Sequence, residues 1–228
     1  MFKSPDAWDT FDRIQDFPFP ETAFFELKRY VRSVHEFLPH ISEQQTVRIE
    51  AQLAAESDPV SIGELKSNLQ GVREDGSELL PRLLWGGVLV STYAAFEFGV
   101  GQVLKHWQTT VRNKPRFVQE RGDFLIAAER YAQHYLKISL FSSAEHRRVI
   151  SQLKGLRNSF VHKGSKVATL PKDLRAALEQ QEHIGLSLER ADECWIANAR
   201  AAVFFLLRAE EVVRAFSHAA LDRCLVRN

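Results

Sequence analysis

Arg157, Asn158 and His162 are the residues of this sequence best suited to chemistry on a phosphodiester. Arginine binds phosphate oxygens through a planar, permanently charged fork, and histidine is the side chain that most readily moves protons near neutral pH. In RNA cleavage, His162 would serve as general acid or base, and Arg157 would stabilise charge on the non-bridging oxygens. Asn158 would bind phosphate or orient His162. The three residues predict a compact set that handles phosphate, and we expect no metal and no cofactor at this site.

The spacing of arginine and histidine is common by chance, so the context of the motif carries the argument. The sequence has 8 histidines, and a similar spacing occurs at Arg29 and His35. The later segment, Leu156-Arg157-Asn158-Ser159-Phe160-Val161-His162-Lys163-Gly164, follows an amphipathic helical pattern and ends in lysine and glycine. Arg29 and His35 lie inside a helical pattern without such an ending. We interpret them as surface residues.

Charge near the motif is more informative than charge over the whole chain. The net charge of +1 over 228 residues gives no global positive field of the kind that favours nonspecific nucleic-acid binding. Residues 143–176, in contrast, contain eight basic and two acidic side chains. We expect Lys154, Lys163 and Lys166 to bind RNA phosphates. The alternative is that these charges form an ordinary solvated helix face.

Cysteine content and apolar runs indicate a cytoplasmic protein. The two cysteines, Cys194 and Cys224, form no CxxC pair, which favours reduced thiols over a disulfide framework or a zinc module. Residues 1–6 lack the apolar region of a signal peptide. The most apolar stretch, 83–96, is too short for a membrane span and predicts a buried helix.

Helical periodicity dominates the chain, and the sequence predicts an all-α protein after an extended lead-in at 1–20. The predicted helices are 21–38, ended by Pro39; 42–55, capped by Ser42 and Gln45; 60–70, ended by Gly71; 78–111; 123–139; one capped by Ser142 and Glu145 that ends near His162; 171–182; and 191–225. Residues 73–77 are predicted to form a loop, and 186–188 a short piece of strand.

Glu97 is the acidic residue that we connect to the motif. It lies in the apolar predicted helix 78–111, among Tyr93, Val90 and Leu104. An unpaired carboxylate in such surroundings is unfavourable, so Glu97 requires a partner. We expect Glu97 to pair with Arg157 and to hold its guanidinium in place.

The combination of this helix, carrying Tyr93 and Glu97, with the Leu-Arg-Asn-x-x-x-His segment resembles the HEPN superfamily (higher eukaryotes and prokaryotes nucleotide-binding domains). The resemblance covers residues 77–225. It implies a HEPN-like helical bundle at 77–228, preceded by an N-terminal helical extension at 1–76. The Arg-x(4–6)-His element of the family lies beside the main cleft of the bundle.

Many HEPN domains are metal-independent ribonucleases, so the resemblance implies an endoribonuclease of toxin or antiviral-defence type. Such an enzyme attacks the phosphodiester through the ribose 2′-OH and leaves a 2′,3′-cyclic phosphate and a 5′-hydroxyl. The family also implies a homodimer whose two motifs line one composite cleft, with an antitoxin or a larger defence complex as a further partner. Family toxins silenced by tyrosine modification carry tyrosine where this chain has Gly164, which argues against that control.

The alternative function is a noncatalytic HEPN-like module that binds a nucleotide, RNA or another protein. In that case Arg157 and His162 have a structural role, because cationic side chains near a helix C-terminus complement the helix dipole. Loss of RNA cleavage in a folded His162→Ala variant would distinguish the enzyme from the binding module. A stable hetero-assembly without cleavage would indicate a scaffold subunit.

Overall fold

Helices form most of the structure. The computed structural model describes residues 21–110, 115–118, 123–162, 170, 174–176, 186–190, 193–196 and 199–226. The helices are α1 (Glu21–Ala55), α2 (Pro59–Glu74), α3 (Leu80–Thr110), α4 (Phe124–Tyr131), α5 (Ala144–His162) and α6 (Ala199–Val226), with π-helical turns at Asp75–Leu79 and Ala132–Leu136. Strands β1 (Leu186–Arg190) and β2 (Glu193–Ile196) form an antiparallel hairpin. The predicted all-α class is confirmed for these residues, apart from the hairpin.

Helix α1 continues through Pro39, so the prediction of two helices separated at this proline is wrong. Proline lacks the N–H that would bond to the carbonyl four residues earlier and therefore disfavours a helix interior. Two contacts join the second half of α1 to the elements that follow it. Glu50 forms an ion pair with Arg73 of α2 at 2.9 Å, and Ser42 lies against Gly76 of the first π-turn. Ser42 also donates a hydrogen bond to the Pro39 carbonyl at 3.4 Å, and it caps no new helix.

The chain also stays helical between α2 and α3, where the sequence predicted a loop at 73–77. Helix α2 begins at Pro59, with Asp58 as its N-cap accepting a hydrogen bond from the Ser61 N–H at 2.9 Å. The Asp75–Leu79 π-turn then joins α2 to α3. Ser77 donates to the Arg73 carbonyl at 2.7 Å. The loop prediction is therefore wrong: the polar residues supply side-chain hydrogen bonds to helical carbonyls and do not end the helix.

The helix predicted at 123–139 is present as α4 with its π-turn, but it ends at Leu136, three residues earlier than predicted. Asp123 caps α4 by accepting a hydrogen bond from the Leu125 N–H at 3.0 Å. The π-turn ends at Lys137, which has a left-handed backbone conformation with φ of 62°.

Helix α5 is described as far as His162, and its N-terminal cap differs by one residue from the prediction. Ser143 Oγ accepts a hydrogen bond from the His146 N–H at 3.1 Å, so Ser143 is the cap. Ser142 instead contacts the His146 side chain.

The hairpin shortens the last predicted helix. The strand predicted at 186–188 is confirmed as the beginning of β1, which pairs Leu186 with Ile196. Since 193–196 belongs to β2, α6 begins at Ala199 and not near 191. Of the predicted helix 171–182, the structure describes 174–176, which are helical.

The described residues group into two compact units, each built from separated stretches of chain. The first contains the described residues of 21–26, 92–153 and 205–226; the second contains those of 27–91 and 154–204. Large buried side chains form the core of the first unit: Phe96, Trp107, Leu136, Ile150, Phe205 and Phe216. In the second unit the buried side chains include Val31, Trp85, Leu89 and Leu156. The predicted division of the chain between residues 76 and 77 stays a prediction.

One stretch, Pro59–Thr109, is long and apolar enough to cross a membrane by length and composition. Half of its most apolar window is buried within the protein, and the core helix of a soluble protein passes the same test. Trp85, Val88, Leu89 and Phe96 are among its buried residues. The stretch is therefore weak evidence for a membrane span.

Candidate functional site

Helix α5 presents the motif at its C-terminal end. Val149, Ile150, Leu153 and Leu156 are buried and recur at helical spacing, so they fix the rotation of the helix about its axis. One turn later, the Phe160 ring lies against Gly86 of α3, where an added Cβ would come within 3.7 Å of it. This packing holds the last turn of α5, which carries the polar residues of the motif.

The structure brings Arg157, Asn158 and His162 together. Arg157 Nη1 donates a hydrogen bond to Asn158 Oδ1 at 3.0 Å and lies 3.3 Å from His162 Nε2. A guanidinium can only donate, so this contact is a hydrogen bond in the tautomer whose Nε2 carries no proton. Arg157 and Asn158 are half-buried, and His162 is exposed. A ligand from solvent can therefore reach the imidazole.

The predicted RNA-binding lysines are only partly covered by the structure. Lys154 lies on α5, three residues before Arg157, and is half-buried. Residues three apart on a helix share a face, so Lys154 and Arg157 add positive charge to the same side. Lys163, Lys166 and Gly164 lie outside the described residues.

Glu97 lies on α3 and is half-buried. It belongs to the first compact unit, whereas Arg157 belongs to the second. The pairing of Glu97 with Arg157 stays a prediction. Arg29 and His35, the other pair with similar spacing, are both exposed on α1, as expected for surface residues.

A second chain of polar groups includes a residue that the sequence analysis missed. His146 Nδ1 lies 2.8 Å from Ser142 Oγ, and its Nε2 lies 3.3 Å from Glu211 Oε1 of α6. Arg208 donates a hydrogen bond to the same glutamate at 2.7 Å and is the main cause of its lowered pKa. Ser142 and His146 have helical i, i+4 spacing, but nothing in the sequence connects Glu211 to them.

The described part of the chain contains no evident metal-binding site. Among those residues, no group of three or more histidine, cysteine or acidic side chains has the arrangement to hold a metal ion. The side chains of the Arg157 motif are themselves suited to phosphate binding and proton transfer.

Comparison with known proteins gave no match to any family model, any curated protein or any solved structure.

Proposed function

We propose that this protein is a HEPN-like, metal-independent endoribonuclease with Arg157, Asn158 and His162 as its catalytic residues. The observation that carries the proposal is that Asn158 and His162 both contact one atom of Arg157. Arg157 Nη1 lies 3.0 Å from Asn158 Oδ1 and 3.3 Å from His162 Nε2. The three side chains converge at a helix end that is open to solvent at His162. A phosphate group there would meet a guanidinium fork, an amide and an imidazole at the same time.

In the proposed reaction, His162 accepts the proton of the ribose 2′-OH at Nε2, the ring nitrogen that lies next to Arg157 Nη1. The 2′-oxygen forms a bond to phosphorus, and the bond from phosphorus to the 5′-oxygen breaks. Arg157 turns its fork from Asn158 and His162 to the non-bridging oxygens and stabilises their developing charge. A proton goes to the leaving 5′-oxygen. The products are a 2′,3′-cyclic phosphate and a 5′-hydroxyl.

One imidazole cannot accept the first proton and supply the second within a single step. A second copy of the chain can provide the acid if the two motifs face the same phosphodiester. We therefore propose a homodimer as the active form. By resemblance, its setting is a cytoplasmic toxin or antiviral-defence system, with an antitoxin or a larger complex as a partner. Control by tyrosine modification has no target at Gly164.

A noncatalytic module that binds RNA, a nucleotide or a protein is the second candidate. It is favoured by the fact that Arg157 already has two acceptors in its own helix, Asn158 Oδ1 and His162 Nε2. A cation in that position also complements the negative end of the helix dipole without any further role.

The test compares wild type and His162→Ala on end-labelled total RNA in EDTA. We expect wild type to leave 2′,3′-cyclic phosphate ends, and His162→Ala to cleave about 10²- to 10⁴-fold more slowly, the usual contribution of a general acid or base. His35→Ala is the matched control, because His35 is also an exposed histidine on a helix and follows Arg29 at a similar spacing. This variant should cleave RNA like wild type.

Two results would overturn the ribonuclease proposal. The first is equal cleavage by wild type and His162→Ala, which would indicate a contaminating nuclease or another site. The second is no cleavage by folded wild type at any protein concentration, with retained RNA binding that His162→Ala weakens. That second result would support the binding module.

A further inference from the structure

A cavity of about 790 Å³ opens beside the Ala132–Leu136 π-turn, within the first compact unit. Cavities of this size hold small organic ligands. Its described walls combine positive charge with aromatic rings, contributed by Arg116, Phe117, Arg130, Tyr131, Tyr135 and Lys137. None of the described residues that line it is acidic. The cavity is therefore basic and aromatic, and we call it the basic aromatic cavity.

The positive charge of this cavity is not neutralised by described neighbours. Arg116, Arg130 and Lys137 are exposed, and within the described chain none of them has an acidic partner at ion-pairing distance. Nearby Arg147 differs, because it pairs with the buried Glu129 at 2.7 Å. Three cations around one cavity, with no acidic side chain in its described lining, favour an anionic ligand.

The aromatic rings form a fixed wall. Tyr131 is buried and donates a hydrogen bond to the Pro115 carbonyl at 2.7 Å, and burial raises the pKa of its hydroxyl. The Phe117 ring packs edge-on against Tyr131 with centroids 5.5 Å apart. The Tyr135 ring packs against the Tyr131 ring with centroids 4.7 Å apart, and Tyr135 is only half-buried. Tyr135 therefore offers part of a supported ring to a planar ligand.

The backbone around the cavity is also held in place. Lys137 ends the π-turn in the left-handed conformation, and its carbonyl accepts a hydrogen bond from Arg223 at 3.4 Å. Gln133, which also lines the cavity, donates a hydrogen bond to Glu129 at 2.7 Å. A site whose walls are already ordered binds its ligand with a smaller loss of conformational entropy.

A second cavity of about 660 Å³ shares part of this wall. It is lined by Arg116, Phe117 and Val118 together with Lys105 and Gln108. Both cavities therefore combine basic side chains with the same aromatic residue, Phe117. This arrangement has room for more than one phosphate.

We propose that the basic aromatic cavity binds a nucleotide, with the base against Tyr135 and Phe117 and the phosphate at Arg116, Arg130 and Lys137. Aromatic rings bind bases of any sequence through stacking, and guanidinium and ammonium groups bind phosphate oxygens. The ligand is either a free nucleotide or a nucleotide unit of an RNA strand. The site is distinct from the Arg157 motif, because no motif residue lines it.

The experiment measures binding to the full chain by calorimetry in EDTA, with ADP, adenosine, inorganic phosphate and a 5′-phosphorylated trinucleotide as probes. We expect ADP to bind about tenfold or more tightly than adenosine or phosphate, since each of these lacks one half of the recognised chemistry. The trinucleotide binding more tightly than ADP supports an RNA strand as the source. Equal affinity of the two supports a free nucleotide.

Variants identify the site. Tyr135→Ala and Lys137→Asn should each weaken ADP binding about fivefold or more, since one loses the ring and the other the charge. Asparagine is chosen at position 137 because it tolerates the left-handed backbone there. The Tyr135→Phe variant keeps the aromatic ring and should bind ADP like wild type. Lys66→Asn removes an exposed lysine elsewhere and should change nothing.

Three results would overturn the proposal. The first is that inorganic phosphate binds as tightly as ADP. The second is that Tyr135→Ala and Lys137→Asn both bind ADP with unchanged affinity. The third is that Arg157→Ala no longer binds ADP. The last would assign the nucleotide to the motif. RNA cleavage by His162→Ala is a separate measurement, so failure of the ribonuclease proposal leaves this one open to its own test.

Discussion

Glu129 has a side chain that is only 9% exposed, and its carboxylate has several hydrogen-bond donors around it. It accepts hydrogen bonds from Gln133 and Ser139, from the Leu140 N–H, and from Arg147. The Arg147 guanidinium also lies over the Phe141 ring at 4.9 Å. These contacts tie α4 and its π-turn to the beginning of α5, so we interpret Glu129 as a structural residue of the first compact unit.

Replacing this carboxylate should destabilise the protein. Glu129→Gln keeps the size of the side chain but puts an amide where several donors converge, and we expect it to lower the free energy of unfolding by about 2–3 kcal/mol. Urea denaturation measures the change. Glu145→Gln is the matched control: Glu145 and Arg148 are both exposed and 4.0 Å apart, so its effect should be at most about 0.5 kcal/mol. Equal effects of the two substitutions would contradict the structural role of Glu129.

The junction of α1 with the first π-turn depends on a glycine. Gly76 is buried, and a Cβ added to it would overlap the Ser42 side chain. A π-turn accommodates one extra residue in a helix, and here that turn carries the glycine past α1. Gly63 and Gly71 of α2 differ, because an added Cβ would meet nothing within 4 Å at either position.

Substitutions at these glycines should therefore have opposite signs. Gly76→Ala should destabilise the protein by about 1–3 kcal/mol through overpacking, whereas Gly63→Ala should stabilise it by about 0.5–1 kcal/mol through its higher helix propensity. Urea midpoints give both changes. Adding Ser42→Gly removes the overlapping atoms, so Gly76→Ala should cost less in that background than in wild type. An unchanged cost would show that the Ser42 contact is not the cause.

Local features of the sequence predicted most elements, and distant contacts explain the failures. The α5 stripe and the convergence of Arg157, Asn158 and His162 depend on residues close in the chain, so helical periodicity sufficed. Pro39 was predicted to end a helix, but Arg73 and Gly76 hold the chain beyond it, and no local pattern shows those contacts. Likewise, the pairing of β1 with β2 delays the beginning of α6. The basic aromatic cavity was not predicted, because its walls come from separate elements.

At the scale of the whole molecule, positive charge is local while the net charge stays near neutral. The sequence carries 30 basic and 29 acidic residues, yet basic side chains gather at the basic aromatic cavity and at the end of α5. Any affinity for RNA must therefore come from a few phosphate contacts, whose number sets the salt dependence of binding. If the protein binds RNA as proposed, local fit should therefore contribute more to selection than long-range attraction.

The proposed need for two motifs in one site makes ribonuclease activity a property of the dimer. If a phosphodiester requires His162 from both copies, a wild-type chain paired with a His162→Ala chain is inactive. After exchange of wild type with a ninefold excess of His162→Ala, activity per wild-type chain should fall to about a tenth, the share of wild-type chains that find a wild-type partner by mass action. The same excess of His35→Ala should leave the activity per active chain unchanged, since that variant keeps its motif.

Exchange is followed with differently tagged chains, so that mixed dimers are counted directly. If mixed dimers form and each wild-type chain keeps its full activity, the site is complete in one protomer, and the leaving oxygen must take its proton from another group of that same chain.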